Sequence, residues 1–418
     1  MWAQANFCYI LIMKTLIRIA FMIGMVWAAT AVCPAQSKFT SLHIFGDGIC
    51  TTTNNYYPGQ YYYGLRRSNG RVWVEVLAQR QGLGANSITN VNWSNSSNNW
   101  SFYGQYSPLL VTNLNHYVPP ADVSTALFVV WVNDADFVGD MGNIYFAYNN
   151  GTSTNQALWT SAINQSLTNH WSIITNLYAK GVRNLLMPNA VDITQIPEYD
   201  MCNPTDLVFI RDQIISFNSS FSALLSQARA TLPGLTIYEP DFYSVLYNML
   251  TNSAAYGLTN ALFEGTPIDA MEDPNLDGIV ATNGPGTNYI FWDAVDPTAK
   301  AHEVMADLAQ QVISPVQFIQ VYSLNGSNQL NAVNMPVGLN GYLDGCTNLA
   351  APFWTTVQNV SSTTPAQSFF VTSIGAPAQP SLRFSPDDGV PPLPTNVLGT
   401  LSGQQYLRLR FPYAWCWP

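Results

Sequence analysis

The chain has 418 residues, of which 48% are hydrophobic, enough for one large domain and a smaller one that each have a core. Only 10% of the residues are charged, and the net charge is −10 with a pI of about 4.7. Nucleic-acid binding requires clustered Lys and Arg side chains, and none are clustered here, so we exclude nucleic-acid partners.

The N-terminus has the layout of a secretory signal peptide. Lys14 and Arg18 precede an apolar run at 19–29, and small residues follow it. The run is shorter than the ~20 residues that span a bilayer, so we expect cleavage, with a retained anchor as the alternative. We therefore assign 1–35 to the leader, with Met13 as an alternative start. We expect a secreted or cell-envelope protein that contacts a membrane only through this leader.

Strands and helices are predicted in turn after the leader. The apolar run Leu42–Phe45 predicts a strand that ends at a tight turn, Gly46–Gly48. Apolar residues at helical spacing within 72–77 predict an amphipathic helix that Asn69 caps at its start and Gly82 at its end.

The same alternation continues along the chain. Further strands are predicted at 126–130, 185–187 and 235–238, and further helices at 163–178, 207–230 and 302–312. This order predicts an α/β fold over residues 36–315, a doubly wound, mostly parallel sheet flanked by helices. Short Val-, Phe- and Thr-rich runs broken by Gly, Asn and Pro predict a small all-β module at 316–418.

Four sequence blocks between residues 40 and 313 resemble those of the SGNH, or GDSL-type, ester hydrolases. The first block, Phe45–Ile49 (FGDGI), is similar to the Gly-Asp-Ser-Leu motif, but Gly48 stands at the serine position. Arg67–Glu75 resembles the segment that follows this motif in the family. The second block is nearest to 92–97, where Ser96 or Ser97 replaces the glycine that helps to bind the oxyanion.

The last two blocks keep one catalytic side chain each. The third, Trp131–Asp134 (WVND), resembles Gly-x-Asn-Asp and keeps Asn133 as an oxyanion donor. The fourth, Phe291–Thr298, resembles the Asp-x-x-His-Pro-Thr frame. It keeps Asp293, but Asp296 stands at the histidine position. The resemblance therefore implies an SGNH hydrolase-like fold with catalytic positions at Gly48, Asn133, Asp293 and Asp296.

Two of these four positions cannot perform the family reaction. Acyl transfer needs a hydroxyl that attacks, an imidazole that takes its proton and a carboxylate that orients the imidazole. Gly48 has no hydroxyl and Asp296 has no imidazole. In a serine protease of another fold, losing the nucleophile or the base lowers the rate ~10⁶-fold, which is about 8 kcal/mol.

Neighbouring residues offer weaker candidates for chemistry. Cys50 and Thr51 follow the serine position closely, but helical geometry would turn their side chains away from the pocket. We expect His43, His170 and His302 to be packing residues rather than catalytic bases.

A metal site is a further alternative. Asp47, Asp134 and the block residues could together offer oxygen ligands to a hard cation. We favour the interpretation that Asp47 and Asp134 brace loops, and we predict no metal and no cofactor.

The leading hypothesis is a catalytically impaired GDSL-type homologue whose cleft binds an acyl ester or an acylated glycan. One alternative is an active ester hydrolase with a rearranged site, and another is a surface protein that binds through the C-terminal β module. The mature chain would keep four cysteines, for which three pairings are open: Cys50, Cys202, Cys346 and Cys416.

Overall fold

A computed structural model describes most of the chain after the predicted leader. The described residues are 37–52, 61–83, 98–146, 153–258, 262–263, 266–272, 288–324, 327–346, 354–372, 398–401 and 405–411. The leader, the second block at 92–97 and Cys416 lie outside them. No described helix is both long and apolar enough to cross a membrane.

A parallel sheet of four strands forms the centre of the N-terminal part. Its strands, in the order β1-β2-β3-β4, are Leu42–Gly46, Leu127–Trp131, Asn184–Leu186 and Thr236–Tyr238. All residues of β1 and β2 are buried, as in parallel sheets that helices cover on both faces. On the free side of β1, Ile44 forms a parallel bridge with Asn99. The chain thus visits both sides of β1 in turn, which makes the carboxyl end of β1 a topological switch point.

Seven α-helices lie within the described residues. Helices α1 and α7 pack together, and α4 packs against both α2 and α5. A π-helical turn, Met141–Phe146, continues α3. The helices are α1 Trp73–Arg80, α2 Ser107–Asn113, α3 Asn133–Asp140, α4 Gln156–Ala179, α5 Pro204–Thr231, α6 Phe242–Thr251 and α7 Ala299–Ile313.

The predicted strands and long helices are confirmed. The predicted N-terminal cap of α1 is wrong, whereas its predicted C-terminal cap is correct. Gly82 ends α1 with a φ of +72°, as predicted. At the other end, the backbone N–H of Val72 donates to Glu75 instead. The Oδ1 of Asn69 accepts from the N–H of Ala299 at 2.7 Å, so Asn69 satisfies the start of α7. The sequence pattern misses the short helices α2 and α3, and also α6.

The C-terminal part contains antiparallel strands, as predicted. They form a four-stranded sheet, β10-β9-β13-β12, and a three-stranded sheet, β11-β8-β7, around a shared apolar core. Their bounds are β7 Gln317–Leu324, β8 Ser327–Val333, β9 Asn340–Cys346, β10 Thr355–Ser361, β11 Ala366–Thr372, β12 Leu398–Leu401 and β13 Gln405–Arg410. A two-stranded ribbon precedes them, β5 Leu262–Phe263 with β6 Thr266–Pro267.

The β module contacts the carboxyl end of α1. Arg80, the last residue of α1, accepts from the N–H of Val337 through its backbone and donates to the carbonyl of Val337 through its guanidinium. Arg80 also pairs with Asp307 of α7 at 2.6 Å. The amino end of α1 faces the candidate site instead, because Trp73 donates to Cys50. The boundary at residue 316 and a binding role for this module stay predictions.

Candidate active site

The predicted catalytic positions meet at the carboxyl edge of the sheet. Gly46 of β1 pairs in register with Trp131 of β2, so Gly48 and Asn133 each stand two residues beyond a paired position. The turn after β1 is tight, since a Cβ on Gly46 would lie 2.6 Å from the side chain of Cys50. Asp47 fixes the turn by accepting the N–H of Ile49 at 3.2 Å. The switch point thus places the serine position next to the oxyanion position.

An aromatic ring covers the serine position. A Cβ built on Gly48 would lie 2.9 Å from Cδ2 of Tyr103, closer than carbon atoms normally approach. Tyr103 is 49% exposed, so it lies at the surface of the site. Tyr103 therefore occupies the space into which a serine hydroxyl would project.

The histidine position is held by an ion pair. Asp296 is 3% exposed, and its Oδ2 lies 3.7 Å from Nη1 of Arg67. The Arg67 guanidinium stacks over the Tyr103 ring, 3.9 Å from its centroid. Burial, and then the charge of Asp293, raise the pKa of Asp296 well above its usual value, while Arg67 opposes this shift. These contacts run continuously from Gly48 to Asp296, and we call them the Tyr103–Arg67–Asp296 bridge.

Asp293 keeps its family position but has other partners. Its Oδ1 accepts the backbone N–H groups of Val295 at 3.0 Å and Asp296 at 2.7 Å. Its Oδ2 accepts the hydroxyl of Tyr62 at 2.6 Å. Burial, with the charge of Asp293, raises the pKa of the Tyr62 phenol. The carboxylate that would orient an imidazole in the family thus binds backbone N–H groups of its own block and the hydroxyl of Tyr62.

Asn133 keeps an amide at the oxyanion position. Its side chain is 1% exposed, and Nδ2 donates to the carbonyl of Pro188 at 3.0 Å. This contact fixes the amide and leaves its second N–H for another acceptor. The amide predicted as an oxyanion donor thus lies just beyond β2, and its role in binding an oxyanion stays a prediction.

Asp47 and Asp134 brace loops, as predicted. Asp47 holds the turn after β1, and Oδ1 of Asp134 accepts the N–H of Val191 at 2.9 Å. Burial raises the pKa of Asp47 to about 7. Burial, together with the charge of Asp47, also raises the pKa of Asp134. Across the ranges that the structure describes, no three His, Cys, Asp or Glu residues are grouped so as to hold a metal ion.

None of the chain's four histidines is placed to act as the base. His43 lies inside β1, where its ring nitrogens contact Ser41 and Tyr117 and its ring stacks on Phe128, 4.9 Å between centroids. His170 and His302 are buried in α4 and α7, and burial lowers the pKa of His302 to about 3. The fourth, His116, is exposed beyond the end of α2. The prediction that the first three are packing residues is confirmed.

The cysteine and threonine next to the serine position are unsuited to attack. Cys50 and Thr51 are fully buried. The thiol of Cys50 accepts the indole N–H of Trp73 at 3.3 Å, and burial raises its pKa. Cys50 forms no disulfide, and neither does Cys202. A displaced nucleophile at these two positions is thus disfavoured by burial.

An apolar cavity of about 70 Å³ lies directly behind the turn. Trp131, which stands where the family has glycine, contributes one wall, and its ring meets Phe242 edge to face at 5.0 Å. Asp47 and Asp134 supply the polar end of the cavity. Its other walls are apolar and include Val245, Leu246, Met249, Ile290, Val295 and Met305.

The sequence patterns do not indicate the two residues that lie between the serine and histidine positions. Arg67 lies in a segment that resembles the family, but nothing in the sequence ties it to Asp296. Tyr103 lies in no block, so only the folded chain shows that it covers Gly48.

The fold defines an α/β protein whose candidate site lies at the switch point of its sheet. The sequence profile of the GDSL-like lipase/acylhydrolase family matches residues 42–309, and the chain belongs to that family. It is 22% identical over 320 residues to the GDSL esterase/lipase At1g73610 of Arabidopsis thaliana, covering 65% of this chain and 88% of the relative. It is also 22% identical to GDSL esterase/lipase 7 of Arabidopsis thaliana, covering 70% and 94%.

The chain also resembles solved structures. The extracellular lipase of Streptomyces rimosus matches with a TM-score of 0.36 and 12% identity, covering 65% of this chain and 99% of that one. A GDSL-like lipase of Bacteroides thetaiotaomicron matches with a TM-score of 0.31 and 14% identity, covering 69% and 94%.

Proposed function

We propose that this protein is an exported, catalytically impaired member of its family that binds a short acyl ester or an acylated glycan. The supporting observation is the Tyr103–Arg67–Asp296 bridge, which fills the space between the serine and histidine positions. The leader pattern in the sequence supports export.

The groups that remain can hold an ester without cleaving it. The free N–H of Asn133 can donate to an ester carbonyl. Within the described part of the chain, no hydroxyl with a histidine in reach stands opposite it, so the carbonyl carbon would meet no activated nucleophile there. In a protease of another fold, loss of the nucleophile or the base lowered the rate ~10⁶-fold, and we expect a loss here that leaves no hydrolysis above that in buffer.

The apolar cavity is suited to a short acyl chain. Its volume of about 70 Å³ is smaller than the ~150 Å³ engineered cavity that admits benzene. By this comparison it has room for roughly three carbons, the length of the alkyl part of a butyryl group. With the acyl chain in the cavity, the alcohol part of the ester would lie beyond Asp47, toward solvent. A sugar is a polar alcohol part of this kind, so an acylated sugar fits the site.

An active hydrolase with a rearranged site is the second candidate, because the relatives are named esterases or lipases. It requires a new nucleophile with a base within hydrogen-bond reach. A fluorophosphonate probe, followed by peptide mass spectrometry, tests for it. Covalent labelling of one specific residue would favour this candidate over the proposal.

Ethyl butyrate can test binding and cleavage in one sample. We expect saturation transfer from the full chain to the ester in NMR, with the ester intact after hours. Met249→Phe, which fills the cavity, should abolish the transfer, whereas Met201→Phe at a 98% exposed position should not. Release of butyrate faster than in buffer would refute the impaired activity, and absence of transfer would refute the acyl cleft.

A further inference from the structure

A second cleft lies outside the catalytic positions, between α2, α3 and α4. Its volume is about 270 Å³. Helix α3 separates it from the apolar cavity, since Asp134 and Val138 face that cavity and Asp136 and Gly139 face the cleft. The cleft is lined by Tyr106, Ser107, Pro108, Ala135, Asp136, Gly139, Asp140, Asn143, Ala162, Gln165, Ser166 and Asn169.

The side chains that line the cleft disfavour the binding of anions. Among the residues that the structure describes, no Lys, Arg or His lines the cleft, so a phosphate or carboxylate ligand would face two aspartates without a counter-charge. Asp136 is already satisfied, because it accepts the N–H of Ser107 at 2.7 Å and the hydroxyl of Ser166. Asn169 donates to the hydroxyl of Ser107 at 2.9 Å. These contacts fix the walls of the cleft.

Two polar groups of the lining have no such partner. Within the described residues, neither the carboxyl group of Asp140 nor the amide of Asn143 makes a hydrogen bond. They lie three residues apart, where α3 passes into the π-helical turn, so both are close to one face. Burial, and then the charge of Asp136, raise the pKa of Asp140 to about 7. The cleft therefore offers a half-buried carboxyl group beside an exposed amide, which can both donate and accept.

The helix also leaves open space toward this cleft. A Cβ on Gly139 would meet no atom within 4 Å. Glycine is unfavourable inside a helix, and here no neighbouring side chain requires it. The exposed ring of Tyr106 lines the cleft as well.

We propose that this cleft binds a hexose unit of a glycan. One sugar hydroxyl would donate to Asp140, its neighbour would accept from the Asn143 amide, and the C–H face of the ring would pack on Tyr106. The volume is nearly twice that of the ~150 Å³ cavity that admits benzene, which suits the roughly twelve heavy atoms of a hexose. An amine would pair with Asp140 but would offer no acceptor to the amide donor.

Saturation-transfer NMR on the full chain tests this proposal with the methyl glycosides of glucose, galactose, mannose and N-acetylglucosamine. We expect transfer to at least one of the four. Gly139→Leu should abolish it by filling the cleft. Gly142→Leu, the matched control at a second open glycine that does not line the cleft, should retain it. Asp140→Asn should weaken binding about tenfold, because a charged acceptor is lost.

Several outcomes would overturn the proposal. They are no transfer to any of the four sugars, transfer that survives Gly139→Leu, or equal loss in both leucine variants. Binding of spermidine or Ca²⁺ in place of a sugar would identify a cation site. Circular dichroism checks the fold of each variant, and Asp140→Asn provides the decision if Gly139→Leu does not fold. None of these readouts depends on ester binding at Gly48.

Discussion

Restoring the two lost catalytic side chains should recover little ester hydrolysis while Tyr103 remains. In Gly48→Ser, the new Cβ would lie 2.9 Å from the Tyr103 ring, whereas carbon atoms pack best at ~3.5 to 4.0 Å. The ring must therefore move by about 0.5 Å or more before the hydroxyl has space. In Asp296→His, the imidazole would contact Arg67, whose positive charge disfavours the imidazolium that forms during catalysis.

The expected magnitudes follow from these contacts. A complete triad is worth ~10⁶ in rate, and the double variant Gly48→Ser, Asp296→His should gain less than about tenfold over the parent. Adding Tyr103→Ala opens the space and should raise the gain to about 10²-fold or more, still short of the full triad because Arg67 remains.

The rate of p-nitrophenyl butyrate hydrolysis is compared for the parent, the double variant and the triple variant. Tyr106→Ala in the double-variant background is the matched control, since it removes another exposed tyrosine that does not contact Gly48. If the double variant is already as active as the triple one, Tyr103 does not block the site and the reasoning is refuted.

Three further predictions concern stability. The folded pKa of Asp47, about 7, lies above its usual value of 3.8, so folding loses stability as the pH rises through that window. The melting temperature of Asp47→Asn relative to the parent should therefore rise from pH 4 to 7, whereas exposed Asp212→Asn should show no such trend. Arg80→Leu breaks a buried ion pair with Asp307 and should cost about 3 to 5 kcal/mol in urea unfolding; adding Asp307→Leu should recover part of this loss. His302→Leu removes a buried histidine whose pKa falls from 6.5 to about 3, so its stability relative to the parent should increase as the pH falls through that range, by at most about 1.4 kcal/mol per pH unit. A flat difference would refute the burial argument.

The regular elements could be predicted because their patterns are local. Buried strands such as Leu127–Trp131 are continuous apolar runs, and long helices such as Pro204–Thr231 show helical spacing. The short helices α2 and α3 could not be predicted, because seven or eight residues are too few to show a clear helical spacing of apolar residues. Asn69 was assigned to the wrong helix because its partner, Ala299, is distant in sequence.

The grouping of the predicted catalytic positions at one sheet edge could be predicted for a different reason. Asn133 and Asp293 stand in short blocks whose order resembles the family, and the parallel sheet brings the ends of β1 and β2 to one edge. The side chains that lie at the serine and histidine positions instead could not be predicted from such blocks. Tyr103 and Arg67 belong to separate loops, and their stacking depends on how these loops fold over Gly48.

Turnover of p-nitrophenyl butyrate by the unaltered chain tests the central claim most directly. The account predicts a rate that cannot be distinguished from buffer, with no residue labelled by a fluorophosphonate probe. Robust turnover that disappears on Asp293→Ala or Asn133→Ala would contradict it, because the site would then catalyse acyl transfer without a serine at position 48.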